Sequence, residues 1–149
     1  MSQGEVIAGV PQRSPAEAWQ ALAGGRARLV DVRTRAEWTF VGLPDLSELG
    51  ADPVLLEWQV WPAMARAADF ESALLAAFGE SPPAEIHFLC RSGARSQAAA
   101  SAVQAAADAA GLQVRCCNVA EGFEGDLGPD GKRGGVNGWK ARGLPWRQS

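Results

Sequence analysis

Cys90 opens the run Cys90-Arg91-Ser92-Gly93-Ala94-Arg95-Ser96, where a cysteine is followed at once by two arginines, two serines and a glycine. Glu85-Ile86-His87-Phe88-Leu89 before it reads as a buried strand. Ala94–Ala110 after it is alanine-rich and reads as a long helix capped by Gly111. A cysteine at such a junction faces the helix N-terminus, where backbone N–H groups lack partners within the helix. Those amides and the helix dipole bind anions and favour a thiolate over a thiol. Arg91 and Arg95 add positive charge, and the small Ser92, Gly93 and Ala94 let the backbone curl around the sulfur. A thiolate so placed can attack an S-sulfonate and take its outer sulfur. The anionic persulfide then rests in the same amide cradle until a second nucleophile removes it.

The residue count bears on the choice of chemistry. Four residues separate Cys90 from Arg95, whereas cysteine phosphatases place five before their arginine, a position held here by Ser96. The shorter loop encloses a smaller pocket, better matched to one sulfur than to a phosphoryl group. A cysteine phosphatase or arsenate reductase is the less favoured alternative on this count. A lone cysteine is most often a small buried hydrophobe, and it is the residues behind Cys90 that argue for a reactive role.

The surrounding elements alternate between strand and helix. Ser14-Pro15-Ala16-Glu17 is a capping box with proline at the first helical position, opening a helix to about Leu22. Leu29–Arg33 reads as a strand, and Thr34-Arg35-Ala36-Glu37 as a second capping box. Gly42–Pro53 reads as loop, Val54–Trp58 as strand, Asp69–Phe78 as an amphipathic helix, and Gln113–Val119 as a strand. Such alternation predicts an α/β fold with a mostly parallel sheet and helices on both faces. Ligands of such sheets sit at the carboxyl ends of the strands, which points to Asp31–Thr34 and Cys90–Ser96. Gly125–Gly138 is glycine-rich and is expected to be a mobile loop.

Composition narrows the function classes. The 149 residues suit one domain, and 47% of them are hydrophobic. A net charge of −3 with no basic run argues against a nucleic-acid binder or an anionic-membrane binder. No apolar run approaches the ~20 residues that span a bilayer, and Met1–Val10 lacks the pattern of a secretory leader. The three cysteines, Cys90, Cys116 and Cys117, make a poor disulfide framework. Free thiols in a reducing, cytoplasmic setting are expected.

Three separated segments resemble the rhodanese homology domain. Leu29-Val30-Asp31-Val32-Arg33-Thr34-Arg35-Ala36-Glu37-Trp38 is similar to that family's "DVR…E(Y/W)" segment. Cys90–Ser96 is similar to its active-site loop, and Gly138-Trp139-Lys140-Ala141-Arg142-Gly143-Leu144-Pro145 to its C-terminal "W…GLP" ending. The resemblance implies one rhodanese-like domain over residues 11–146, preceded by an extension at 1–10 and carrying a glycine-rich insertion at 123–137. It implies a central parallel five-stranded sheet flanked by helices on both faces. It also implies transfer of sulfane sulfur, for example from thiosulfate to cyanide or a thiol. Cys90 would be the nucleophile, Arg91 to Ser96 the cradle, and Asp31 and Arg33 neighbours that hold the loop. No cofactor and no metal are implied. The chain departs from the family where Val41-Gly42-Leu43-Pro44-Asp45 lacks a histidine and where Glu121-Gly122 replaces a glycine pair. These departures motivate a second reading, a sulfur-relay or regulatory module that exchanges sulfur with a protein partner.

The remaining candidates carry competing readings. Arg33 and Glu37, four apart, are expected to pair as a brace. Arg95 either faces the pocket or, the favoured reading, braces the loop against a carboxylate such as Asp31, while Arg91 either binds an anionic donor or points to solvent. Trp38, Trp58, Trp61 and Phe123 are candidate rim residues, and Trp139 is expected in the core. His87 lies an odd number of residues before Cys90 on a strand, so the two should face opposite sides and not form a catalytic pair. Cys116 and Cys117 should also face opposite sides, as buried packing or with one of them resolving the persulfide.

Overall fold

The computed structural model describes residues 5–148. β1 (Val6–Ile7) folds back onto β2 (Val10–Arg13), and α1 (Pro15–Ala23) leads to β3 (Ala27–Asp31) and the short α2 (Arg35–Phe40). β4 (Leu43–Pro44), β5 (Val54–Leu55), β6 (Gln59–Val60) and β7 (Ala65–Arg66) are two-residue strands on the way to α3 (Phe70–Phe78). β8 (Glu85–Leu89), the long α4 (Ala94–Ala109), β9 (Arg115–Val119) and β10 (Trp146–Arg147) complete the chain.

The central sheet has the order β1-β2-β9-β8-β3-β5. The five strands β2, β9, β8, β3 and β5 run parallel, as expected, and β1 adds a sixth, antiparallel to β2. The β1–β2 turn passes through Ala8 and Gly9, both at positive φ. β2 escaped the sequence reading because Pro11 cannot donate to a ladder and so argues against an interior strand. Here Pro11 sits opposite Val6, and the parallel pairing with β9 begins at Gln12. The strand expected over 54–58 stops at Leu55.

Both capping boxes form. The Glu17 amide donates to Ser14 Oγ at 3.1 Å and the Glu37 amide to Thr34 Oγ1 at 3.3 Å, with each glutamate accepting the cap residue's own amide in return. α3 and α4 cover one face of the sheet, over Val30, Ile86, Phe88 and Cys116. The alanines of α4 (Ala99, Ala100 and Ala107 are fully buried) let that helix lie close against the strands. α1 covers the other face with Leu29, Leu89, Val119, Phe123 and Trp139. Trp139 is wholly buried, as expected, and its indole N–H donates to Pro145 O at 2.7 Å. Among the described residues no helix is long and apolar enough to cross a membrane.

Register places the site. Asp31 is level with Leu89 in adjacent parallel strands, so the segments after β3 and β8 leave the sheet side by side at its carboxyl edge.

Candidate active site

Cys90 is the first residue after β8, and its side chain lies at the base of α4. Its Sγ accepts the Gly93 N–H at 3.1 Å and lies 3.1 Å from Ser96 Oγ. Gly93 is the N-cap of α4 at φ +115°, a conformation that other residues rarely adopt, and a Cβ there would overlap the Ala120 carbonyl. The loop carbonyls are drawn outward: Phe123 N–H donates to Cys90 O at 2.8 Å, and the amides of Glu124 and Gly125 donate to Arg91 O at 3.0 and 3.1 Å. With those carbonyls turned to the 123–125 segment, the loop's own amides face the other way. The first-turn amides of Ala94, Arg95 and Ser96 have no carbonyl partner within α4. Gly122 lies beneath this turn at φ +71°, where a Cβ would come within 2.5 Å of Arg91 C and O.

Asp31, Arg33, Glu37 and Arg95 sort into two pairs, and neither is the expected Arg33–Glu37 brace. Arg33 and Asp31 are both fully buried and bonded at two points, Nε to Oδ1 at 2.9 Å and Nη2 to Oδ2 at 2.6 Å. Arg33 also donates to Gly42 O and lies over the Phe123 ring, 4.3 Å from its centroid. Asp31 cannot therefore serve Arg95, which pairs with Glu37 instead, Nη1–Oε1 2.7 Å and Nη2–Oε2 2.9 Å. Arg33 leaves the end of β3 pointing into the core, whereas Glu37 is one turn along α2 and faces the cysteine loop. Burial raises the Glu37 pKa, but Arg95's hydrogen bonds and charge outweigh it and hold the carboxyl below its ordinary value.

Above Cys90 is an open cavity of about 630 Å³, lined by the cysteine loop, α2 and the 59–64 segment. That size suits an organic ligand, and exceeds what a single sulfur requires. Of the four aromatic rim candidates only Trp61 lines it. Trp58 is core, edge-on to Phe70 at 5.1 Å, because the chain after β5 turns inward and its amide bonds Val32 O. Phe123 is fully buried beneath the guanidinium of Arg33. Trp38 does not line the cavity, and its buried indole nitrogen has no hydrogen-bond partner among the described residues. Phe40, Val41, Met64, Glu124 and Arg133 line it instead, and the sequence reading missed all five. Phe40 was detectable as an apolar residue at the end of a helix too short to bury it. Arg91 is exposed and lines the cavity. Arg133 comes from the glycine-rich insertion, which is not a free loop. Its Nη1 donates to Gly125 O, Gly134 N–H to Glu124 O, and Asp126 N–H to Asn137 Oδ1.

The other two cysteines lie elsewhere. Cys116 is level with Ile86 and Cys117 with His87, four and three residues back from Cys90, or roughly 10–13 Å along a strand. Neither is placed to resolve a persulfide. Burial pushes the Cys116 thiol up to about 12 and the Cys117 thiol up to about 11. His87 faces away from Cys90, as expected, and pairs with Glu85 at 2.9 Å. Burial lowers its pKa despite that carboxylate. Donor atoms of Glu85, His87 and Cys117 lie within 4.8 Å of one another, but the nearby charge of Arg13 opposes a cation there.

A mixed six-stranded α/β sheet with a cysteine loop at the head of a helix is a rhodanese-like architecture. The chain belongs to the rhodanese-like domain family, whose model matches residues 14–127. It is 36% identical over 126 residues to an uncharacterised protein of Rickettsia conorii, with 85% of this chain and 87% of that one covered. It is 34% identical over 127 residues to an uncharacterised protein of Rickettsia prowazekii, with the same coverage. The crystal structure of Rv0390 from M. tuberculosis matches with a TM-score of 0.76 and 43% identity, covering 93% of this chain and 97% of that one.

Proposed function

We propose that this protein is a sulfurtransferase that carries sulfane sulfur as a persulfide on Cys90. The observation that carries the reading is the setting of Cys90 Sγ. Cys90 is 1% exposed and lines the floor of an open cavity, with the Gly93 amide donating to Sγ, the Ser96 oxygen beside it and the carbonyls of Cys90 and Arg91 drawn away. The Cys90 thiolate attacks the outer sulfur of thiosulfate. The donor's S–S bond breaks, sulfite leaves with the electron pair, and Cys90 keeps the sulfur as an anionic persulfide. Cyanide or a thiolate then attacks that outer sulfur, giving thiocyanate or a new persulfide and restoring the thiolate. The amides stabilise the negative charge throughout without donating a proton. Arg91 and Arg133 at the cavity wall attract the anionic donor. The three unpaired cysteines support a reducing, cytoplasmic setting.

Intact mass spectrometry tests this directly. Thiosulfate should add one sulfur mass, cyanide should remove it, and Cys90→Ser should abolish the gain. No adduct with any sulfane donor would overturn the reading.

The exposure of Phe40 (81%) and Trp61 (62%) beside the cavity favours a second reading, in which the partner in exchange is a protein or another apolar thiol. Poor turnover of thiosulfate, together with ready persulfide exchange with apolar thiols, would support it.

A further inference from the structure

Ser96 Oγ has one hydrogen and three acceptors within reach: Cys90 Sγ at 3.1 Å, Gly93 O at 3.2 Å and Asn118 Oδ1 at 2.6 Å. Which of them takes the hydrogen follows from a chain of amides, buried at Asn118 and Gln12, that ends at the exposed sheet edge. Gln97 Nε2 donates to the backbone carbonyl of Ile7, so Gln97 turns its oxygen to Gln12. Gln12 Nε2 donates to that oxygen and to Val10 O, so Gln12 turns its own oxygen to Asn118. Asn118 Nδ2 donates to Gln12 Oε1 at 2.8 Å and to Gly93 O at 3.2 Å, so Asn118 turns Oδ1 to Ser96. Three backbone carbonyls, which can only accept, set the direction at each link. At the end of the chain Oδ1 needs a donor, and Ser96 supplies it over the shortest of its three contacts.

We propose that Asn118, oriented by Gln12 and Gln97, is a positioning residue that competes with the sulfur of Cys90 for the single proton of Ser96. With that proton on Asn118, Ser96 shows only lone pairs to Sγ and gives a charged sulfur no donor from this side. A charged sulfur, thiolate or persulfide, needs the reverse. The Ser96 hydroxyl must then rotate to Sγ, leaving Asn118 Oδ1 buried without a donor, a costly state. Asn118 cannot escape by turning over, since that breaks both bonds of its Nδ2. The amide chain thus withholds the Ser96 proton from Sγ and gives way when charge builds there.

The proposal rests on Cys90 being the reacting group, and its test does not use sulfur transfer. Alkylation of Cys90 by iodoacetamide at fixed neutral pH, with Cys90→Ser as the blank, reads the reactivity of the sulfur without any sulfur transfer. Asn118→Leu frees the Ser96 hydroxyl and should speed alkylation roughly three- to tenfold, the range one net hydrogen bond spans. Simple damage to the loop would slow it. In a Ser96→Ala background Asn118→Leu should change nothing. If Asn118→Leu does not fold, Asn118→Ala removes the same acceptor with less bulk and should speed alkylation in the same Ser96-dependent way. A rate that is unchanged or lower, or a gain that persists without Ser96, overturns the proposal. Alkylation that behaves as stated while thiosulfate adds no sulfur would leave the proposal standing and remove the sulfurtransferase reading.

Discussion

Glu37 and Arg95, 58 positions apart, meet in a two-point ion pair with contacts of 2.7 and 2.9 Å. The same carboxylate receives the Thr34 amide and hydroxyl at the start of α2. One glutamate therefore caps a helix with one hand and grips the first turn of α4, beside Cys90, with the other. Each side chain is less than a fifth exposed, so solvent screens the pair only in part.

Breaking this pair should loosen the cysteine loop before it unfolds the protein. Glu37→Gln and Arg95→Lys should each cost about 1–2 kcal/mol in urea denaturation, with clear coupling in the double-mutant cycle. Because the Glu37 carboxyl titrates below its ordinary 4.5 in the fold, its stabilisation is complete above that pH. It is lost as pH falls through the lowered value. Denaturation midpoints of wild type and Glu37→Gln should converge in that acid range.

Two glycines should be indispensable to sulfur loading. Gly93→Ala would drive a methyl into the Ala120 carbonyl, and Gly122→Ala would drive one into the Arg91–Ser92 peptide. Both should abolish the thiosulfate mass gain. Gly131 is the control: it has φ +77° but open space around it, so Gly131→Ala should cost only about 1–2 kcal/mol and leave loading intact.

The parts of this structure legible from sequence are those that local chemistry determines. The capping boxes at Ser14 and Thr34 need only residues three apart, and the Cys90 loop is contiguous. Asp31 and Arg33 could be placed beside the loop, but not paired with each other rather than with Glu37 or Arg95. Those choices depend on which way each side chain leaves its element. Trp58 and Trp61 look alike in sequence, yet one is core and the other lines the cavity, because the chain turns between them. The chain Ser96–Asn118–Gln12–Gln97 spans α4, β9 and β2 and exists only once the sheet order is known. Nothing about isolated glutamines and an asparagine announces it.

Cys116 and Cys117 should take no part in the chemistry. Burial pushes their thiols up to about 12 and about 11, so both stay protonated at neutral pH. Native alkylation should modify Cys90 and neither of them. Cys116→Ala with Cys117→Ala should load sulfur as wild type does. Loss of loading in a folded double variant would restore a resolving role.

His87 should make the fold sensitive to mild acid. Its pKa is lowered from 6.5 chiefly by burial. The unfolded chain therefore binds a proton there before the folded protein does, and stability falls as pH drops below 6.5 toward the lowered value. His87→Gln should flatten that part of the stability curve, measured as urea midpoint against pH. An unchanged slope would place the acid sensitivity elsewhere.

The aromatic wall should separate the two readings of the acceptor. Phe40 and Trp61 flank the cavity at its exposed side, away from the cradle amides. Replacing both with serine should leave sulfur uptake from thiosulfate within about twofold, since burial of an apolar body contributes nothing to so small an anion. Discharge of the persulfide is where the wall acts. An acceptor whose ring packs on it gains about 1.5–3 kcal/mol from burial, at least tenfold in rate at low concentration. Wild type should therefore discharge to phenylethanethiol faster than to mercaptoethanol by about that factor, and the double serine variant should treat the two alike. Equal rates in wild type would mean that the wall does not grip the acceptor, leaving small, hydrophilic acceptors as the natural reading. A preference that vanishes with Phe40 and Trp61 would assign those side chains to acceptor choice, and would turn the search for a physiological partner toward thiols carried on apolar surfaces.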